Sequence, residues 1–311
     1  MVNRTTIDGF MLLGLTDIRE LQIFLFSTFL IFYLFSLLGN ITIVTLIINN
    51  NILHKPMYFF LCNLSFLDMV ISTTTVPKML SGLLIGDKKI SMFGCAAQLY
   101  FFHFFGCTEA LLLTAMSYDR YVAICHPLEY HILMGRTMCC QLAITCWITG
   151  FIYSLSETII IFRLPYCNIR QVNHFYCDMK PVLKLACGDI HLSKILVLIV
   201  FSFIAVSSLP FVSVSYMLIG RHLLKIRSAR ERRKSFLVCS SHIIVVSLYM
   251  VTAILIYLGP NTDDSLAQDR IGAVLFNAIT PTLNPLIYTL RNAEIKNAVK
   301  KIFQRNQKAY K

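Results

Sequence analysis

The sequence predicts an all-α membrane protein: a seven-transmembrane helix bundle with a short amphipathic C-terminal surface helix. Three observations lead there. Of 311 residues, 56% are hydrophobic and only 14% charged, where a soluble domain carries roughly 25% charged residues. The apolar residues are gathered into long runs with few or no charges, and there are seven such runs. The mean hydropathy over the whole chain is +0.66.

A helix rising ~1.5 Å per residue needs about 20 apolar residues to cross ~30 Å of hydrocarbon. Residues 21–53, 195–220, 235–262 and 271–290 do so without any Asp, Glu, Lys or Arg. Three further runs carry one charge each: Asp68 in 57–77, Glu109 in 90–118 and Glu157 in 137–162. Spanning β-strands are shorter, roughly 10 residues, and alternate apolar with polar, so a barrel is excluded. Helices satisfy their own backbone hydrogen bonds in lipid.

Lysine and arginine set the orientation. Most lie after spans 1, 3 and 5 and in the tail, among them Lys55, Arg136, the cluster from Arg221 to Lys234, and Lys300 and Lys301. A basic excess belongs in the cytoplasm. The chain is therefore expected to be a single domain, 1–311, in the plasma membrane, crossing it several times. Residues 1–20 are extracellular and 292–311 form a cytoplasmic tail. The net charge of +12 reads as a topology signal, with anionic membrane lipid as a partner and no nucleic acid. Asn3-Arg4-Thr5 is a glycosylation sequon in the outer segment. The first apolar run is too long for a signal peptide and reads as a span.

Eleven cysteines are present. Cys95, Cys167, Cys177 and Cys187 fall on the outer side, where disulfides persist, and the sequence alone allows three pairings. The others read as small apolar packing residues. After span 7, Ile295, Ala298, Val299, Ile302 and Phe303 recur at helical spacing opposite Glu294, Lys296, Asn297, Lys300 and Lys301. That pattern predicts the surface helix over 292–303.

Several residues carry mechanism. Asp68 and Glu109 are carboxyls at membrane depth, each costing roughly 2.5–3.5 kcal/mol at a helix centre, so they need partners. With Asn40 they form an expected intramembrane polar cluster, able to hold a sodium ion and to differ between two packings of the bundle. Asp119-Arg120-Tyr121 lies where span 3 meets the cytosol, where the carboxylate holds the guanidinium at rest. Pro281 and Pro285 each remove a backbone donor from span 7, with Asn284 placed to satisfy freed groups and Tyr288 free to swing.

Longer strings carry a resemblance. Leu53-His54-Lys55-Pro56-Met57-Tyr58-Phe59-Phe60-Leu61 opens span 2, and the run from Met116 to Leu128 reads M-S-Y-D-R-Y-V-A-I-C-H-P-L. Ser215-Tyr216 follows in span 5, then Lys234-Ser235-Phe236 and Cys239-Ser240-Ser241-His242, then P-T-L-N-P-L-I-Y from Pro281 to Tyr288. Together they resemble the odorant receptors of the rhodopsin-like class, tetrapod type, over essentially the whole chain. The opening of span 6 departs mildly from that family's pattern at Ser235, Leu237 and Val238.

The resemblance implies Cys95–Cys177 and Cys167–Cys187 bridges, a small volatile ligand, and coupling to the olfactory stimulatory heterotrimeric G protein with a rise in cyclic AMP. Asp119, Arg120, Tyr121, Tyr216, Asn284, Pro285 and Tyr288 would form the coupling switch. It also places the pocket in the outer halves of spans 3, 5, 6 and 7. Counting back from Arg120, the stripe Leu99, Phe102, His103, Gly106 and Cys107 faces it. Val200, Phe201 and Ile204, Thr252, Ala253 and Ile256, and Asn277 are expected opposite. His103 and Thr252 are the expected hydrogen-bonding anchors. No acidic group is expected there, which favours a neutral or weakly polar ligand over an amine.

Rival readings are weaker. A retinal receptor needs a span 7 lysine, and 271–290 has none. A transporter would want more intramembrane charges along a path. No nucleophile-base or metal-ligand cluster suggests an enzyme, and no cofactor is expected. A rhodopsin-like receptor for a lipid or metabolite is the serious alternative.

Overall fold

The computed structural model describes residues 9–166, 170–187, 191–257, 265–291 and 294–299. The long helices are α1 (Arg19–Asn49), α2 (Pro56–Ile85), α3 (Met92–Cys125), α5 (Arg136–Phe162), α7 (His191–Lys225) and α8 (Ala229–Tyr257). Between them lie the short α4 (Tyr130–Leu133) and α6 (Met179–Leu183). The last span is built from α9 (Ser265–Val274), a π-turn (Leu275–Ile279) and α10 (Thr280–Arg291). Six described helices are long and apolar enough to cross a membrane, and the 35-residue α7 carries the apolar run 195–220. The outer surface is apolar: Ile31, Leu38, Ile48 and Ile152 are all exposed. That is the surface expected against lipid.

α2, α3 and α7 run past the ends of their apolar stretches because a helix continues beyond the hydrocarbon edge. α2 runs through Pro77 to Ile85. It stops at Gly86, whose φ of +70° suits a residue without Cβ. Where α3 meets α5, a Cβ on Gly150 would sit 2.3 Å from the Thr108 hydroxyl. Only glycine allows that close approach.

The prolines of the last span explain its irregularity. Pro285 cannot donate to the carbonyl of Pro281. Ser36 and Asn40 of α1 donate to that carbonyl instead, both at 3.1 Å. Just before Pro281, the helix widens into the π-turn, and Thr280 donates to the Leu275 carbonyl at 3.0 Å. Asn40 is thus occupied by α10, which corrects the expectation that it partners Asp68. The partner is Asn284, whose amide donates to both Asp68 oxygens at 2.9 and 3.1 Å.

At the Cys95 end, three short strands form a sheet ordered β2-β1-β3. β1 (Gly9–Leu12) pairs antiparallel with β2 (Lys89–Ser91) and parallel with β3 (Gln171–Val172). Strands this short have no alternation to read, so the helical pattern did not announce them. The Cys95–Cys177 disulfide ties α3 to the loop after α5, spanning a sequence separation of 82. Cys187 is also disulfide-bonded, while Cys167 and Asn3 lie outside the described residues. At the other end, 294–299 is helical. Ile295 and Ala298 are buried there, while Glu294, Lys296 and Asn297 are exposed. Lys55 pairs with Glu294 at 2.7 Å, and the Tyr58 hydroxyl donates to Glu294 at 2.9 Å. The remainder of 292–303 lies outside the described residues.

Candidate functional site: an apolar cavity between the helices

A cavity of about 80 Å³ lies inside the bundle. α3 contributes Phe102, His103, Gly106, Cys107 and Ala110, one face of a helix by spacing. α8 contributes Tyr249, Met250, Ala253, Ile256 and Tyr257, and Tyr153 of α5, Ser208 of α7 and Phe276 of the π-turn complete the described wall. The aromatic rings interlock edge to face: Phe102 on Phe276 at 5.6 Å and Tyr249 on Phe276 at 5.1 Å. The Tyr249 hydroxyl donates to the Gly106 carbonyl at 2.5 Å. A Cβ on Gly106 would meet only ordinary contacts, at 3.7 and 3.8 Å from Tyr249 and Phe276. Glycine therefore leaves room here for something else.

Beside the cavity sits a charged cluster. His103 Nδ1 lies 3.0 Å from Glu157 Oε2, and Nε2 lies 3.2 Å from Asp178 Oδ1 and 3.1 Å from the Tyr257 hydroxyl. Each ring nitrogen faces a carboxylate, an arrangement that suits the doubly protonated imidazolium. Asp178 is fixed from several sides: Tyr176 donates to it at 3.0 Å, and the Met179 N–H at 2.7 Å. Burial by itself would raise the Asp178 pKa, but His103, then His174 and the Met179 N–H, outweigh it and hold the carboxyl below its ordinary value. His174, buried in the same loop, is pushed down to about 4.

The expected lining separates into three groups. Phe102, His103, Gly106, Cys107, Ala253 and Ile256 line the cavity. Leu99, Thr252 and Asn277 do not. Leu99 packs with Cys95, Cys177 and Ile161 beneath the disulfide. Thr252 donates to its own helix at Leu248 and Tyr249, and Asn277 accepts from Thr75 of α2 at 2.9 Å. Val200, Phe201 and Ile204 belong to α7, but their side chains lie outside the described set.

Two expectations about polarity are corrected. Acidic groups are present, since Glu157 and Asp178 flank His103, though neither borders the cavity itself. His103 is held on both sides by carboxylates, so it is not a free anchor. Sequence reasoning missed Ala110, Tyr153, Ser208, Tyr249, Met250, Tyr257 and Phe276. One signal could have found the cluster: Glu157 is an intramembrane carboxylate, and such a group requires a partner.

Deeper in the bundle, Asp68 and Glu109 are near enough to interact electrostatically. Both are buried, and among the described residues Glu109 Oε1 and the Tyr288 hydroxyl have no hydrogen-bond partner. Toward the far end, Arg120 is hydrogen-bonded to Asp119 through both Nε and a terminal nitrogen. The Tyr130 hydroxyl donates to the other Asp119 oxygen at 2.7 Å. Burial and then the Asp119 charge raise the Tyr130 pKa above its ordinary value. Tyr216 bonds His242, bridging α7 and α8, and Tyr121 bonds His126 at 3.2 Å. Asp119 and Arg120 are both buried.

The olfactory receptor family profile matches residues 29–306. This chain belongs to the olfactory receptor family. It is 45% identical to human olfactory receptor 12D1 over 98% of this chain and 96% of that protein. It is 45% identical to mouse olfactory receptor 5G9 over 96% and 95%. The fold matches squid rhodopsin with a TM-score of 0.72, covering 93% of this chain and 87% of that one, at 18% identity. The olfactory receptor described here is thus a multi-pass membrane protein with a rhodopsin-like seven-helix fold, and it is a receptor and not an enzyme.

Proposed function

We propose that this olfactory receptor binds a small, neutral or weakly polar volatile molecule in the 80 Å³ cavity and couples its occupancy to a stimulatory heterotrimeric G protein, raising cyclic AMP. The carrying observation is the cavity itself. It is mostly apolar and roughly half the volume of the ~150 Å³ apolar cavity that accepts benzene. A volatile of few heavy atoms suits it after modest side-chain adjustment, whereas a lipid chain does not. Glu157 and Asp178 share His103 and neither borders the cavity, so the wall offers an amine no direct carboxylate partner. Ser208 borders the cavity with a buried hydroxyl that has no hydrogen-bond partner among the described residues. That hydroxyl suits a ligand with one oxygen function.

Occupancy reaches the other end through α8. Tyr249 forms part of the cavity wall, and on the same helix His242 is bonded to Tyr216 of α7. A ligand that favours a shifted α8 favours opening of the Tyr216, His242, Asp119 and Arg120 contacts, with Asn284, Pro285 and Tyr288 as the yielding part of α10. The ligand shifts this balance only by its differential affinity for the two packings, ~5.5 kcal/mol for a complete reversal. A sodium ion at Asp68 and Glu109 would favour one of them. In this reading residues 1–20 are extracellular and carry a glycan at Asn3, and 292–311 are cytoplasmic.

The test is a chemically diverse volatile panel read as cyclic AMP in cells expressing the receptor. At least one agonist is expected. Arg120→Ala should then silence the response to it at matched surface labelling, matched because losing the cation leaves buried Asp119 with its bond from Tyr130. A normal response from that variant would remove Arg120 from the coupling role.

A further inference from the structure

We propose that the outer flank of α7 and α8, at the Arg120 end, is a binding site for an anionic phospholipid. A groove of about 480 Å³ runs there between the two helices, with Leu224, Arg232, Arg233 and Phe236 on its walls. Leu224 is 79% exposed and Phe236 57%. These two face away from the bundle. Ile219 and Cys239, with Leu223 buried beneath the groove it also lines, cluster against Tyr121, Ile124 and Cys125 of α3. The groove therefore opens outward to lipid and not toward the Arg120 centre.

Its height fits a phospholipid. The apolar run of α7 ends at Gly220, and that of α8 begins at Ser235. Arg232 and Arg233 thus stand at the edge of the hydrocarbon, where lipid phosphates lie. Neither has an ion-pair partner among the described residues, and the same holds for Arg221, Arg227 and Arg230. Guanidinium groups bind phosphate oxygens in a bidentate fork. A phosphate on the two arginines with an acyl chain along Leu224 and Phe236 satisfies both halves of the groove. A soluble anion would use only the first half, and an acidic protein segment would leave the apolar half unfilled.

The experiment uses the full-length receptor, purified without G protein and examined by native mass spectrometry. Phosphatidylserine and phosphatidylcholine of identical chains are offered in equal amounts. The wild type should retain phosphatidylserine preferentially. Arg232→Gln with Arg233→Gln should lose that preference by roughly tenfold or more, whereas Arg232→Lys with Arg233→Lys should keep part of it. Arg227→Gln with Arg230→Gln, which removes as much charge outside the groove, should leave it intact. Excess inorganic phosphate should not displace the lipid. Equal retention of both lipids by the wild type would overturn the proposal. So would an unchanged preference in the groove variant, an equal loss in the Arg227 and Arg230 variant, or displacement by phosphate.

Discussion

His103→Leu is expected to remove most of this receptor from the cell surface. The substitution leaves Glu157 and Asp178 without the cation between them, and an uncompensated buried charge typically costs about 3–5 kcal/mol. That is a large fraction of the ~5–15 kcal/mol by which a domain is stable. Replacing both halves of a buried ion pair by apolar groups is often close to neutral, so His103→Leu with Glu157→Leu should recover part of the surface expression that His103→Leu loses, while Asp178 keeps its bonds from Tyr176 and the Met179 N–H. Surface immunolabelling of the two singles and the double measures this. A double variant no better than His103→Leu would show that His103 acts on something other than these carboxylates.

The second large effect is the disulfide. Cys177→Ser should abolish surface expression, and Cys95→Ser should match it. In the chain-entropy picture, closing a loop of this length contributes about 4–5 kcal/mol, and the separation here is 82 residues. The bridge also fixes the loop that brings Asp178 to His103, so losing it disturbs the charged cluster as well. Cys107→Ser, a free cysteine on the cavity wall, should leave surface levels nearly unchanged. Equal surface labelling of all three variants would contradict this account of the loop.

The bundle was legible in the sequence because lipid imposes length and charge rules that single runs reveal. The Asp119–Arg120 pair was legible because adjacent residues need no fold to meet. The cavity was legible on α3, where one helix fixes which residues share a face. It was less legible across helices. Leu99 lies on the same stripe yet packs beneath the disulfide, and Thr252 sits beside cavity residue Ala253 yet bonds its own backbone. Asp68 was read as needing a partner and Asn40 as part of its cluster, but Pro285 redirected Asn40 by freeing the Pro281 carbonyl, and Asn284 took its place. Helix rotation, which depends on every neighbour at once, decides these cases. The His103 cluster needed a loop residue, Asp178, whose position only the folded disulfide supplies.

The central claim, that this cavity is where the odorant acts, is tested most directly by filling it. With an agonist from the volatile panel, cyclic AMP dose responses are compared at matched surface expression for wild type, Ala253→Leu and the lipid-facing control Val251→Leu. Ala253 borders the cavity, whereas Val251 is 54% exposed on the outer surface. Forcing extra methylenes into an occupied space typically costs about 1–3 kcal/mol, so Ala253→Leu should weaken the agonist roughly ten- to hundredfold, with Val251→Leu unchanged. Wild-type potency and maximum in Ala253→Leu would contradict the claim and place the odorant elsewhere.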